Sequence, residues 1–113
     1  MGTLDGGWDR DLRAGRIAID MTVDLHGHHL VSAHGALSRA LDRAVGQGMR
    51  VILLITGKMR GPDEAPRGAI RREVESWLAH SRHADRIAAV RNAHPRHGGA
   101  GALYLILRRS RAE

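Results

Sequence analysis

Residues 21–56, MTVDLHGHHLVSAHGALSRALDRAVGQGMRVILLIT, decide the fold. Apolar residues stand at every second position from Ile17 through Ile19, Met21 and Val23 to Leu25. That spacing belongs to a strand with one buried face, so RIAIDMTVDL reads as the first strand. From Leu30 the period changes. Leu30, Ala33, Leu37, Ala40, Leu41 and Ala44 share one side of a helix, and Gly46 and Gly48 stop it. RVILLIT is short and almost wholly apolar, the pattern of a strand covered on both faces or central in its sheet. A right-handed strand–helix–strand crossover makes the two strands parallel.

Downstream, GKMRGPDEAPRG (57–68) is a loop of glycine, proline and charge. AIRREVESWLAHS (69–81) is a second helix whose apolar face carries Ile70, Val74, Trp77 and Leu78. DRIAAVRNA (85–93) is a third strand, HPRHGGAGA (94–102) a glycine-rich turn and LYLILRR (103–109) a fourth strand. Residues 1–16 show no sustained period and read as an N-terminal extension that Trp8 pins to the domain; residues 110–113 read as a tail. The order β-α-β-α-β-β predicts an α/β two-layer sandwich over residues 17–109, a mixed four-stranded sheet with two helices on one face.

Composition narrows the function classes. A chain of 113 residues makes one domain, large enough for a real core. It has no cysteine, which removes disulfides and thiolate metal sites and points to a reducing, cytoplasmic setting. No apolar run approaches the roughly 18 residues of a membrane span, and the first residues lack a leader's apolar core. Nothing suggests a coiled coil, so a monomer is expected. Lys and Arg number 18 against 12 Asp and Glu, a net charge of +6, and Lys58 is the only lysine. That balance fits either an arginine-rich genome or a partner bearing phosphates. Trp8, Trp77 and Tyr104 are the only aromatic rings besides histidine. So few rings argue against a base-stacking platform and for contact with backbone or shape.

Chemistry-bearing residues gather at strand ends. DLHGHH closes the first strand and TGK closes the second, on the same edge of a parallel pair. If the third strand is also parallel, HPRHGGAG arrives at that edge, where open α/β sheets bind ligands. Asp24 and His26 suit an acid–base pair, in which the carboxylate orients the imidazole; alternatively they cap the following turn. His28 and His29 read as solvated loop residues, and His34 as a structural or surface residue of the first helix. Gly57 lets a ligand approach free backbone amides, and Lys58 adds a point charge for phosphate. The P-loop spacing is absent. Gly98, Gly99 and Gly101 make either an anion-accommodating turn or a hairpin connection. His97 is the discriminating residue, because a mere turn does not ask for imidazole. His94 fits either reading. Asp24 and His26, with His94 or His97, also have the chemistry to hold a divalent metal.

Taken together, VDLHG, LITGK and HGGAGALYLIL, in this order with two amphipathic helices between them, resemble the Smr (small MutS-related) domain over about residues 17–109. The resemblance implies the two-layer fold, similar to the C-terminal domain of a bacterial translation initiation factor. It also implies an endonuclease that nicks or cleaves structured or branched DNA or RNA. The family's Asp-x-His corresponds to Asp24 and His26, and its later His-Gly turn to His97 with Gly99 or Gly101. Met59 stands where the family's second motif usually has a second glycine. The resulting expectation is phosphodiester cleavage by Asp24, His26 and His97. Gly57, Lys58, Arg60, Arg67, Arg71, Arg96 and the glycine turn would hold phosphate. No cofactor is required if RNA is the substrate, whereas Mg2+ or Mn2+ recruited by Asp24 suits DNA. A module that grips branched nucleic acid or ribosomal RNA without cleaving it is the alternative.

Overall fold

The structure, a computed structural model, describes residues 6–57 and 69–109. The elements run α1 (Gly6–Ala14), β1 (Met21–Asp24), α2 (Leu30–Gly46), β2 (Val51–Ile55), α3 (Ala69–Ala79), β3 (Ile87–Asn92) and β4 (Ala102–Leu107). Single 3-10 turns precede β3 at Ala84–Arg86 and link β3 to β4 at Pro95–His97 and Gly99–Gly101. The four strands form one mixed sheet in the order β1-β2-β4-β3. β1 and β2 are parallel, and β4 is antiparallel to both β2 and β3. β3 therefore runs the same way as β1 and β2, so all three end at one edge.

One face of the sheet carries α2 and α3, as the periodicity predicts. Ala33, Leu37, Leu41 and Ala44 of α2 and Ile70, Val74 and Leu78 of α3 close on Ile52, Leu54, Leu103, Leu105 and Leu107. Two residues of the expected α2 face fall outside this core: Ala40 is half-buried, and Leu30 is exposed. Leu30 occupies the helix's first position and stays 42% exposed, beside Val31 at 87%.

The other face is not bare. Residues expected to lead in without pattern form α1, whose Leu12 is buried against the alternate residues Val51, Leu53, Tyr104 and Ile106. Trp8 packs on the same cluster, Arg50 lies 5.5 Å over its ring, and Asp9 pairs with Arg91 at 2.9 Å. Sheet coverage on both faces explains why β2 and β4 are apolar at nearly every position.

The first strand is shorter than its alternation suggests. Asp20 sits at a bend, where its carboxylate accepts the amides of Arg50 at 2.9 Å and Val51 at 3.0 Å. The bend breaks the period. Ile17 and Ile19 pack on the α1 side, whereas Met21, Val23 and Leu25 pack on the α2–α3 side.

Candidate active site

The site lies where β1, β2 and β3 end. There the exit of β2 is stitched to the turn before β4: Gly101 O accepts the amides of Thr56 at 2.9 Å and Gly57 at 3.1 Å. DLHG, TG and HPRHGGAG thus meet at one edge. His26, Gly57, Arg96, His97, Gly98 and Gly101 line an open crevice of about 520 Å³. Leu53 and Ile55 give it an aliphatic floor, on the α1 side of the sheet.

Asp24 is the last residue of β1, and Leu25 behind it is fully buried in the core. This anchor fixes the strand end. The Asp24 carboxylate then accepts the His26 amide at 3.1 Å and lies 2.5 Å from His26 Nδ1. The hydrogen bond from the His26 ring holds the Asp24 carboxyl below the usual carboxylate range, with the His26 amide adding to it. Both side chains remain open to solvent, 50% for Asp24 and 64% for His26. Gly57 passes close behind: its φ is +91°, and a Cβ there would stand 3.3 Å from His26 Cβ. Only glycine combines that conformation with that approach.

His97 reaches the crevice from the far side. Its Nδ1 lies 2.6 Å from the hydroxyl of Tyr104, and the two rings meet edge-on with centroids 5.5 Å apart. Tyr104 is fully buried in β4 and also accepts the His94 amide at 3.1 Å. Its signal was present in the sequence as a lone hydroxyl in an otherwise apolar strand. What it touches was not.

Arg96 stands at the crevice rim, where its Nη1 donates to Gly15 O at 3.2 Å, just past the end of α1. His94 is a structural cap: its Nδ1 accepts the Arg96 amide at 3.0 Å. The N-terminal stretch therefore buttresses the loop that carries His97, a contact no sequence period announces.

Some expected contributions differ. Gly57 lines the crevice, but its amide and that of Thr56 are bonded to Gly101 rather than free. Inside the glycine turn, the amides of Gly98, Gly99 and Gly101 donate to Pro95, His94 and Gly98 carbonyls. The turn is shaped by these bonds and does not aim those amides at a ligand. It is at once the hairpin connection between β3 and β4 and a wall of the crevice. Arg71 donates to Asn92 at 3.2 Å and pairs with Glu75 at 3.7 Å. His28 donates to or accepts from Ser32 at 2.7 Å, and His34 stacks at a tilt on Trp77, 5.1 Å between centroids. Lys58, Met59, Arg60, Gly61 and Arg67 lie outside the described residues. Among the described residues no three histidine, aspartate or glutamate side chains are grouped to hold a metal ion, so Asp24 and His26 offer two donors without a third.

Residues 23–108, from the strand that carries Asp24 to just past the end of β4, match the Smr domain family. The chain belongs to that family. This Smr domain is 29% identical over 99 residues to the probable DNA endonuclease SmrA of Escherichia coli (strain K12), a match covering 88% of this chain and 51% of SmrA. The chain thus spans about half the length of that curated relative. Its fold superposes on YdaL, a stand-alone small MutS-related protein from Escherichia coli, with a TM-score of 0.76 at 29% identity, covering 96% of this chain and 79% of YdaL. The Smr domain of Thermus thermophilus MutS2 superposes with a TM-score of 0.62 at 26% identity, covering 78% of this chain and 98% of that domain. Of these relatives, SmrA is named as a probable DNA endonuclease. No helix among the described residues is long and apolar enough to cross a membrane.

Proposed function

We propose that this Smr domain is a nucleic-acid endonuclease that cleaves a phosphodiester in the crevice between His26 and His97. The observation that carries the proposal is the meeting of a carboxylate-oriented imidazole and a tyrosine-anchored imidazole at one opening, from turns far apart in the sequence. The name of the SmrA relative supports the reaction class.

In the proposed reaction, Asp24 holds the His26 ring and His26 takes the proton of the attacking oxygen. As that oxygen bonds to phosphorus, the bond to the leaving oxygen breaks. His97, facing His26 across the crevice, donates a hydrogen bond to the oxygen on which charge develops, and the leaving oxygen takes its proton from water. With RNA the nucleophile is the neighbouring 2′-hydroxyl; with DNA it is water. Arg96 meets a phosphate at the rim, and Lys58 and Arg60 are proposed as further phosphate contacts from their place in the sequence alone. General acid–base catalysis of this kind contributes ~10²–10⁴-fold. Phosphate contacts of this kind make binding fall steeply with salt.

The test is one set of cleavage assays on branched DNA, plain duplex, single-stranded RNA and structured RNA, each with Mg2+, Mn2+ or chelator. His26→Ala and His97→Ala should each lose about 10²-fold or more in rate, with binding by gel shift unchanged. Undiminished cleavage by His26→Ala would sink the catalytic assignment. A wild-type protein that binds but cuts nothing would leave a binding module.

A further inference from the structure

The hydrogen bonds at the two histidines settle more than their position. A neutral imidazole carries one proton, on Nδ1 or Nε2, and its partners decide which. At His26 the partner is a carboxylate with ordinary access to water and a hydrogen bond from the same ring. An ionised carboxylate cannot donate, so Nδ1 carries the proton, and in the neutral ring Nε2 presents a bare lone pair.

At His97 the partner is a phenol. Tyr104 is fully buried and its hydroxyl accepts the His94 amide. The phenol has one proton of its own. If His97 Nδ1 also carried a proton, the phenol would accept twice, and its O–H would be buried with no acceptor among the described residues. Leaving a buried donor unmet is costly. The phenol therefore donates to Nδ1 across 2.6 Å, and the His97 proton sits on Nε2. A doubly protonated His97 meets the same objection, since it too would strand the phenol's proton.

We propose that Asp24 and Tyr104 lock the two histidines in opposite tautomers. His26 is the base, and His97 is a neutral Nε2–H donor to phosphate oxygen rather than a proton-transferring acid. Tyr104 is its positioning residue. The role of His97 rests on the nuclease reading above; the tautomers do not. This assignment also accounts for the glycine turn. Its amides are bonded internally, so His97 Nε2–H supplies the hydrogen bond that a backbone oxyanion hole would otherwise provide. Protons balance without an acid: His26 takes one from the nucleophile and returns it to water, and the leaving oxygen takes one from water.

Two-bond ¹H–¹⁵N correlation spectra of the ¹⁵N-labelled protein read the tautomers directly. The expected result near neutral pH is His26 protonated on Nδ1 and His97 on Nε2. A His97 ring protonated on Nδ1 overturns the assignment, whatever the activity. In Tyr104→Phe, checked for folding by its amide spectrum, the His97 proton should redistribute between the two nitrogens; an unchanged Nε2–H ring removes Tyr104 as the positioning residue. Among His97 variants, His97→Gln keeps an N–H donor near the Nε2 position. It should retain much of the rate that His97→Ala loses, a loss of about 10²–10³-fold for one missing donor. Equal loss in both variants means that His97 transfers a proton, and the donor role falls. A wild type with these tautomers that cleaves no polynucleotide removes the nuclease reading and leaves the tautomer assignment standing.

Discussion

The turn that carries His97 depends on one glycine, and replacing it is a sharp test of the site's architecture. Gly98 links the two 3-10 turns with φ +113° and ψ −8°. A Cβ added there would stand 2.9 Å from Ala102 Cβ. Ala102 cannot retreat, because it is buried and pairs in register with Ile55 of β2. Gly98→Ala therefore meets two costs. The left-handed conformation costs an L-residue ~1–2 kcal/mol, and forcing a methyl into a packed neighbour costs ~1–3 kcal/mol. The expected destabilisation is about 2–5 kcal/mol, a fall in Tm of roughly 10 °C or more for a domain of this size. Gly99→Ala is the matched control: its φ is +53° and nothing lies within 4 Å of the added atom. It should cost only ~1–2 kcal/mol. Urea unfolding followed by far-UV circular dichroism measures both, with an unchanged m value as the condition for comparison. A double-mutant cycle with Ala102→Gly isolates the steric part, which should appear as a coupling of about 1–2 kcal/mol. If the two glycine variants fall within about 0.5 kcal/mol of each other, or if the coupling vanishes within that same margin, the close packing of the turn on β4 is wrong.

Other outcomes follow from the same geometry. Asp24 should titrate, by carboxyl ¹³C shift, below the usual value of about 3.9, because the His26 ring hydrogen bond favours its charged form. A lowered folded value means that any stabilisation from the pair is present above the unfolded value and is lost as pH falls through the folded one; His26→Ala should move the Asp24 midpoint upward. Leu12→Ala should destabilise by ~2–5 kcal/mol, since Leu12 is only 2% exposed under α1. Leu30→Ala should change stability by less than about 0.5 kcal/mol, despite its place in the α2 pattern; equal effects for the two leucines would contradict the observed packing. Arg96→Ala should weaken polynucleotide binding and flatten its salt slope by about one unit, and an unchanged slope would take Arg96 off the phosphate path.

Much of the architecture is legible because periodicity is a local property. The apolar spacing of α2 and α3, the unbroken apolar run of β2 and the glycines after β3 each report what their own segment buries. So does the placing of Asp24, His26 and His97 at segment ends. Where local pattern fails, a distant partner is responsible. The alternation from Ile17 to Leu25 reads as one strand, yet Asp20 bonds the amides of Arg50 and Val51 and turns the chain, sending Ile17 and Ile19 to the opposite face. Residues 6–14 lack a convincing pattern because α1 buries little more than Leu12 and part of Trp8.

By itself the sequence determined the element order from β1 onward, the core faces of α2 and α3, the absence of cysteine and the strand-end residues that resemble an Smr site. Only the tertiary structure decided that β4 enters between β2 and β3, which leaves β3 parallel to β1 and brings His97 to the same edge as His26. It also decided that the turn's amides are bonded inward, and that Tyr104 meets His97. The physical reason is that a side chain's burial is encoded in its own segment's period, whereas a hydrogen-bond partner is set by strand pairing between residues far apart in the chain. The tautomer of each histidine belongs to this second class.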